Sequence, residues 1–184
     1  MMMQDFGAPE RKFHRPEAGI VVTEGHVVAG YASLFGRRDQ GGDVVRAGAY
    51  AASLAGLAKA GRRVKMLWQH DPGQPIGVWD EVREDATGLY VKGRILTEVE
   101  RGREAVALLA AGAIDGLSIG YRTVRAERDS AGARVLAEVE LWEVSLVTFP
   151  MLPEARVQAK AEAEFVWRDL AQIFEDARRR LTAG

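Results

Sequence analysis

The chain has 184 residues, 47% of them hydrophobic and 28% charged, a composition that fits one globular domain with tails. Its 25 Lys and Arg against 26 Asp and Glu leave a formal net charge of −1, so no global basic field exists to hold nucleic acid. Cysteine is absent, which excludes disulfides, thiolate metal sites and cysteine nucleophiles; no apolar run of about 18 residues exists for a membrane span and none opens the chain as a secretory signal, so the expected compartment is the cytoplasm.

Residues 1–18 are polar, contain two prolines and show no period, and are expected to form a flexible N-terminal arm. From Ile20 to Phe35 the sequence is rich in Val and aromatics and is broken at Gly25, which predicts a hairpin or a bulged strand. Residues 36–48 read as a loop rich in glycine and charge. Residues 49–61 read as a short Ala/Leu helix stopped by Gly61. Val64 to His70 predicts a strand, and Pro75–Asp85 with Leu89–Leu96 a hairpin around Ala86-Thr87-Gly88. Thr97 precedes Glu100 by three residues as in a capping box, opening a helix that runs to Ala111 and stops at Gly112. Leu117–Arg128 and Arg134–Phe149 predict two long strands around the turn 129–132, the second ended by Pro150 and Pro153. Beyond Glu154, the residues Val166, Leu170, Ile173, Phe174, Ala177 and Leu181 recur at helical spacing. The expected organisation is therefore an arm (1–18), a central domain (19–157) and a C-terminal amphipathic helix (158–184). About seven strands and two or three helices predict a mainly β, α+β fold, a partly closed sheet with helices packed on it.

Gly116-Leu117-Ser118-Ile119-Gly120 has the G-x-S-x-G form of a nucleophile elbow, although taken alone a tight turn at the head of a strand is the simpler account. An α/β-hydrolase needs its histidine after the serine, whereas His14, His26 and His70 all precede Ser118. A serine nucleophile still needs a base. His14 lies in the arm and His26 at a turn position after Gly25. His70 ends an apolar strand, on the side of Val64, Met66 and Trp68 by alternation, and is followed by the turn signal Asp71-Pro72-Gly73. That position is rigid yet reachable, as a general base requires; a core-edge histidine bonded to backbone is the alternative.

Glu143 is the third candidate. Alternation puts it on one face with Leu141, Ser145 and Val147, while Trp142, Val144 and Leu146 take the other, so the strand reads as buried on both faces. A buried carboxylate costs on the order of several kcal/mol unless it is partnered. A histidine suits, because the carboxylate fixes the imidazole tautomer and stabilises the imidazolium; an arginine is the alternative partner. Asp71, Asp115 and Glu140 are weaker candidates for the same orienting role.

Taken together, these residues resemble the caudovirus prohead serine proteases, the capsid-maturation proteases of tailed phages and related gene transfer agents. The resemblance runs from about Val28 to Val157. It rests on residues 30–35 (GYASLF), Asp39 with residues 42–45 (GDVV), and Gly48-Ala49-Tyr50. It continues through Leu67-Trp68-Gln69-His70-Asp71, Pro75-Ile76-Gly77, Gly88-Leu89-Tyr90-Val91 and residues 116–121 (GLSIGY), and closes on residues 143–147 (EVSLV) with Pro150. Departures from the family pattern are Ala47 where a proline is usual, Tyr50 in place of Phe, and Met151-Leu152 after Pro150.

The resemblance implies an assemblin-like β-barrel flanked by α-helices, similar to the herpesvirus capsid proteases, with the protease domain at 19–157. It implies Ser118 as nucleophile, His70 as general base and Glu143 as orienting acid, with no metal and no cofactor. The implied substrate is the major capsid protein or its scaffold segment, cleaved inside the assembling prohead in the cytoplasm of a bacterial host, together with self-cleavage and a homodimer. No nucleic-acid or membrane partner is expected; the basic clusters Arg37-Arg38, Arg62-Arg63 and residues 178–180 read as solvated faces. The alternative is a non-catalytic capsid-assembly factor on the same fold. Backbone N–H groups near Tyr121-Arg122 are the expected oxyanion donors.

Overall fold

The computed structural model describes residues 10–14, 21–23, 26–130 and 132–149, with side chains for 26–130 and 132–149. The C-terminal helix expected at 158–184 lies outside the described residues.

The strands, in chain order, are β1 (Glu10–His14), β2 (Val21–Thr23), β3 (Val27–Leu34), β4 (Asp43–Val45), β5 (Lys65–Trp68), β6 (Asp71–Glu84), β7 (Gly88–Ile95), β8 (Gly116–Arg128) and β9 (Arg134–Val147). Helix α1 (Ala51–Lys59) joins β4 to β5, and α2 (Glu100–Ala110) joins β7 to β8. The strands form one curled sheet in the order β1-β8-β9-β5-β6-β7-β3-β2, with β4 added in parallel to β9. The two ends of the path approach each other, because β3 touches both β1 and β8. A mainly β, partly closed sheet with flanking helices is thus what the sequence encodes.

Hydrophobic periodicity explains most of this. In β3 every second residue from Val28 is buried, and β2 pairs antiparallel with its first half. The inner face is filled by Met66, Ile76, Trp79, Val91, Leu117, Ile119, Val144 and Leu146, all nearly inaccessible. Helix α1 ends at Gly61, whose φ of 63° is the left-handed stop that the sequence predicts.

Three local expectations change. Glu10–His14, inside the expected arm, forms β1 and pairs antiparallel with β8, a polar edge strand held through its backbone and therefore invisible to hydrophobic periodicity. Asp43–Val45, inside the expected loop, forms β4; the Asp39 carboxylate accepts the Asp43 N–H at 2.8 Å and Gly42 turns at φ 83° to feed it. Thr97 is not the cap of α2. The N-cap is Val99, without a side-chain hydrogen bond, and the helix start is set instead by packing: a Cβ on Gly102 would lie 2.0 Å from the Leu96 carbonyl oxygen.

Strand β9 is the hub. It pairs with β8 on one side and runs parallel to β5 on the other. The adjacency β8-β9-β5 brings together the elements that carry Ser118, Glu143 and the turn containing His70.

Candidate active site

Strand β5 ends at Trp68, and the next two residues leave the extended conformation. Gln69 has φ 51° and His70 has φ 64°, both in the left-handed region that bulky L-residues avoid at a cost of roughly 1–2 kcal/mol each. His70 therefore does not continue the strand alternation with Val64, Met66 and Trp68, and the expectation that it does is corrected. The turn is held by β9. The Gln69 N–H donates to the Leu146 carbonyl at 3.0 Å. The Gln69 side-chain amide donates to Thr148 Oγ1 at 2.6 Å and accepts the Thr148 N–H at 3.3 Å. The His70 N–H donates to Ser145 Oγ at 3.1 Å.

The far side of the turn is braced by α2. Asp71 accepts the Gly73 N–H at 2.8 Å and the Gln74 side-chain amide at 2.6 Å, and these hydrogen bonds, Gln74's first, hold its carboxyl below the usual carboxylate range. Arg101 of α2 donates to Gln74 Oε1 at 2.7 Å and sits 5.8 Å from the Trp68 ring centroid.

The His70 ring meets Glu143. Nδ1 lies 2.5 Å from Glu143 Oε1, and Ser145 Oγ donates to Glu143 Oε2 at 2.5 Å. All three residues are buried: His70 is 6% exposed, Glu143 8% and Ser145 0%. Of the two partners considered for Glu143, the structure supplies histidine. Of the weaker candidates, Asp71 serves its own turn, Asp115 lies just ahead of β8, and Glu140 is half-buried and pairs with Arg122 at 2.7 Å.

Ser118 is fully buried on β8, directly opposite Ser145 in the antiparallel ladder, with Phe13 of β1 in register on its other side. Paired residues share a face of the sheet, so Ser118 lies on the Glu143–Ser145 face. The pentapeptide is not an elbow: Gly116–Gly120 is continuous strand, and neither glycine has a positive φ. Gly120 has a different function. It stands opposite Glu143, and a Cβ there would lie 2.1 Å from Glu143 Oε1, so only glycine leaves room for the carboxylate to lie across the strand. Tyr121 and Arg122 sit within the β8–β9 ladder, past a bulge that begins at Gly120.

His14 is in register with Leu117 on β1, and His26 precedes β3, where its carbonyl accepts the Ile95 N–H at 2.9 Å. Sequence reasoning did not single out Ser145, Gln69 or Gly120. Alternation placed Ser145 beside Glu143 and could have found it; nothing in the sequence announces the left-handed turn at Gln69. Among the described residues no helix is long and apolar enough to cross a membrane.

Comparison with known proteins gives a consistent set. The family model described as caudovirus prohead serine protease matches residues 14–166. The prohead protease of Enterobacteria phage HK97 is 30% identical over 136 residues, covering 72% of this chain and 59% of that protein. The capsid polyprotein of Pseudomonas phage PAJU2 is 32% identical over 102 residues, 51% of this chain and 15% of that protein. The chain thus spans less than two thirds of the length of either relative. Among solved structures, the bacteriophage T4 capsid assembly protease superposes with a TM-score of 0.62 over 77% of this chain and 98% of that one, at 13% identity, a likeness of fold.

Proposed function

Because this chain belongs to the caudovirus prohead serine protease family, we propose that it is a serine endopeptidase that cleaves capsid protein, or its scaffold segment, during prohead maturation. Ser118 is the nucleophile, His70 the general base and Glu143 the acid that orients it. The observation that carries the reading is the buried 2.5 Å contact between His70 Nδ1 and Glu143 on β9, the strand that pairs with β8 beside Ser118.

The chemistry follows from the hydrogen bonds. An ionised Glu143 accepts at both oxygens, which puts the proton of a neutral imidazole on Nδ1 and leaves the lone pair on Nε2. Nε2 takes the Ser118 hydroxyl proton as Oγ attacks the scissile carbonyl, and the imidazolium that forms is stabilised by the Glu143 carboxylate. The proton then passes to the leaving amine, and water, deprotonated by the same nitrogen, hydrolyses the acyl-enzyme. Backbone N–H groups hold the oxyanion, each contributing roughly 3–4 kcal/mol. The work is done inside the assembling prohead, in the bacterial cytoplasm, with the protease as a homodimer.

Support for the substrate class comes from the relatives, one a prohead protease and one a capsid polyprotein. The test is co-expression with the major capsid protein of the same particle, comparing wild type with Ser118→Ala by intact mass. Shortening of the capsid protein by wild type alone is the expected result. Equal shortening by both removes Ser118 as nucleophile. No shortening by either, with particles still dependent on the chain, indicates an assembly factor instead.

A further inference from the structure

The site contains a buried hydroxyl that the proton-transfer steps do not use. Ser145 lies in an apolar stretch of β9, between Val144 and Leu146, and is completely inaccessible. A strand position of this kind favours a β-branched apolar residue, and a buried hydroxyl is tolerated only when it is hydrogen-bonded. Ser145 is bonded twice. Its oxygen accepts the His70 backbone N–H at 3.1 Å, and its proton goes to Glu143 Oε2 at 2.5 Å.

These two bonds close a circuit with the third. It runs from the His70 N–H to Ser145 Oγ, from Ser145 Oγ–H to Glu143 Oε2, and from Glu143 Oε1 back to the Nδ1 of the same histidine at 2.5 Å. The direction of the circuit is fixed by chemistry. A backbone N–H can only donate, so Ser145 must accept there and has one proton left to give. Giving it to Oε2 makes Glu143 accept there and favours the ionised carboxylate, which at Oε1 accepts the proton of Nδ1. The backbone of His70 thus biases the tautomer of its own side chain through Ser145.

The circuit also has a mechanical role. His70 sits at φ 64°, a conformation uncommon for any residue other than glycine. Ser145 holds the backbone end of that residue while it holds the carboxylate that holds the ring end. One side chain thus ties ring orientation to backbone posture, with Ser118 directly across the ladder.

The geometry points to Ser145 as a positioning residue for catalysis, fixing the tautomer and aim of His70 without touching the substrate. This rests on the reading of His70 as general base. The test compares wild type, Ser145→Ala and Ser145→Thr, each in the full chain. Two readouts are taken: kcat and KM on the purified major capsid protein precursor, and the low-field proton NMR signal of the His70 Nδ1–H. A cooperative thermal transition establishes that each variant folds. Ser145→Ala should lower kcat about 10–100-fold with KM changed less than about twofold, the scale expected for a misaimed base, and should abolish the low-field signal. Ser145→Thr, which keeps the hydroxyl, should restore both. An unchanged low-field signal in Ser145→Ala, or a loss that Ser145→Thr does not recover, overturns the positioning role. The NMR signal needs no turnover, so failure of the positioning role is distinguishable from failure of the protease reading, which falls if Ser118→Ala cleaves as well as wild type.

Discussion

Of the three glutamates on strand β9, Glu140 and Glu143 stand three residues apart in opposite situations. Glu140 belongs to the half of β9 that pairs with the protruding tail of β8, where Arg122, Arg125 and Arg128 stand on the surface. Its partner is Arg122, and both side chains are nearly half exposed. Glu143 belongs to the half that crosses the core, and its partners are a histidine ring and a serine hydroxyl. Water screens the first pair and supplies alternative partners, so it contributes little. Burial leaves the second without solvent as an alternative partner, so each of its partners is needed. What surrounds a carboxylate decides whether it is a screened surface partner or a member of a buried hydrogen-bonded set, and the same residue type on the same strand is found as either.

The comparison can be broken most severely at Glu143. Glu143→Gln places a donor where one of two donors, Nδ1–H or Ser145 Oγ–H, now points. The ring is then forced toward the wrong tautomer, and cleavage of capsid protein should fall about 10³–10⁴-fold, the scale seen when a triad carboxylate becomes an amide. Retained cleavage would remove Glu143 from the mechanism. Gly120→Ala attacks the same carboxylate from across the ladder. Its Cβ would press on Oε1, Cδ and Cγ, so the carboxylate must swing away from His70. Stability should fall by about 1–3 kcal/mol in denaturant titration, with a loss of activity larger than that unfolding explains. An alanine variant with wild-type cleavage would mean the carboxylate has room to move.

A third carboxylate sharpens the contrast. Asp85, in the turn between β6 and β7, is pushed up by burial. That effect is outweighed by hydrogen bonds from the Tyr31 hydroxyl, the Thr87 amide, Arg83 and the Gly88 amide, so its pKa is lowered from 3.8 to about 2. The folded value is the depressed one, so its stabilisation is complete above the unfolded pKa and is lost as pH falls through about 4 toward 2. Asp85→Asn should therefore lower Tm at neutral pH and flatten the fall of Tm between about pH 4 and 2, while leaving cleavage unchanged. An unaltered acid limb in thermal scans would contradict this. The smallest effect is expected at Glu140. Glu140→Gln should change stability by less than about 0.5 kcal/mol and cleavage by less than about twofold, measured beside Glu143→Gln under the same conditions.

Much of this contrast was legible in the sequence. Alternation along β9 puts Glu143 in an apolar strand, and burial then demands a partner; the chain order of His70 and Ser118 rules out one fold and fits another. What was not legible depends on contacts distant in sequence. The posture of His70 is imposed by Leu146, Thr148 and Ser145, some 75 residues away, and Gln69 lacks the chemistry that usually marks a left-handed turn. Gly120 looks like half of an elbow until the side chain it makes room for is seen. Strand β4 exists because β9 offers an edge to pair with, and Thr97 fails as a cap because Gly102 lets α2 start against Leu96.

The central claim is that His70, held by Glu143, makes Ser118 the reactive serine of this chain. The most direct measurement is treatment of the purified protein with a fluorophosphonate, followed by intact mass and peptide mapping, for wild type and His70→Ala. The account predicts a single adduct, on Ser118, that disappears in His70→Ala. An adduct on another serine, or one on Ser118 that forms equally well without His70, would contradict it.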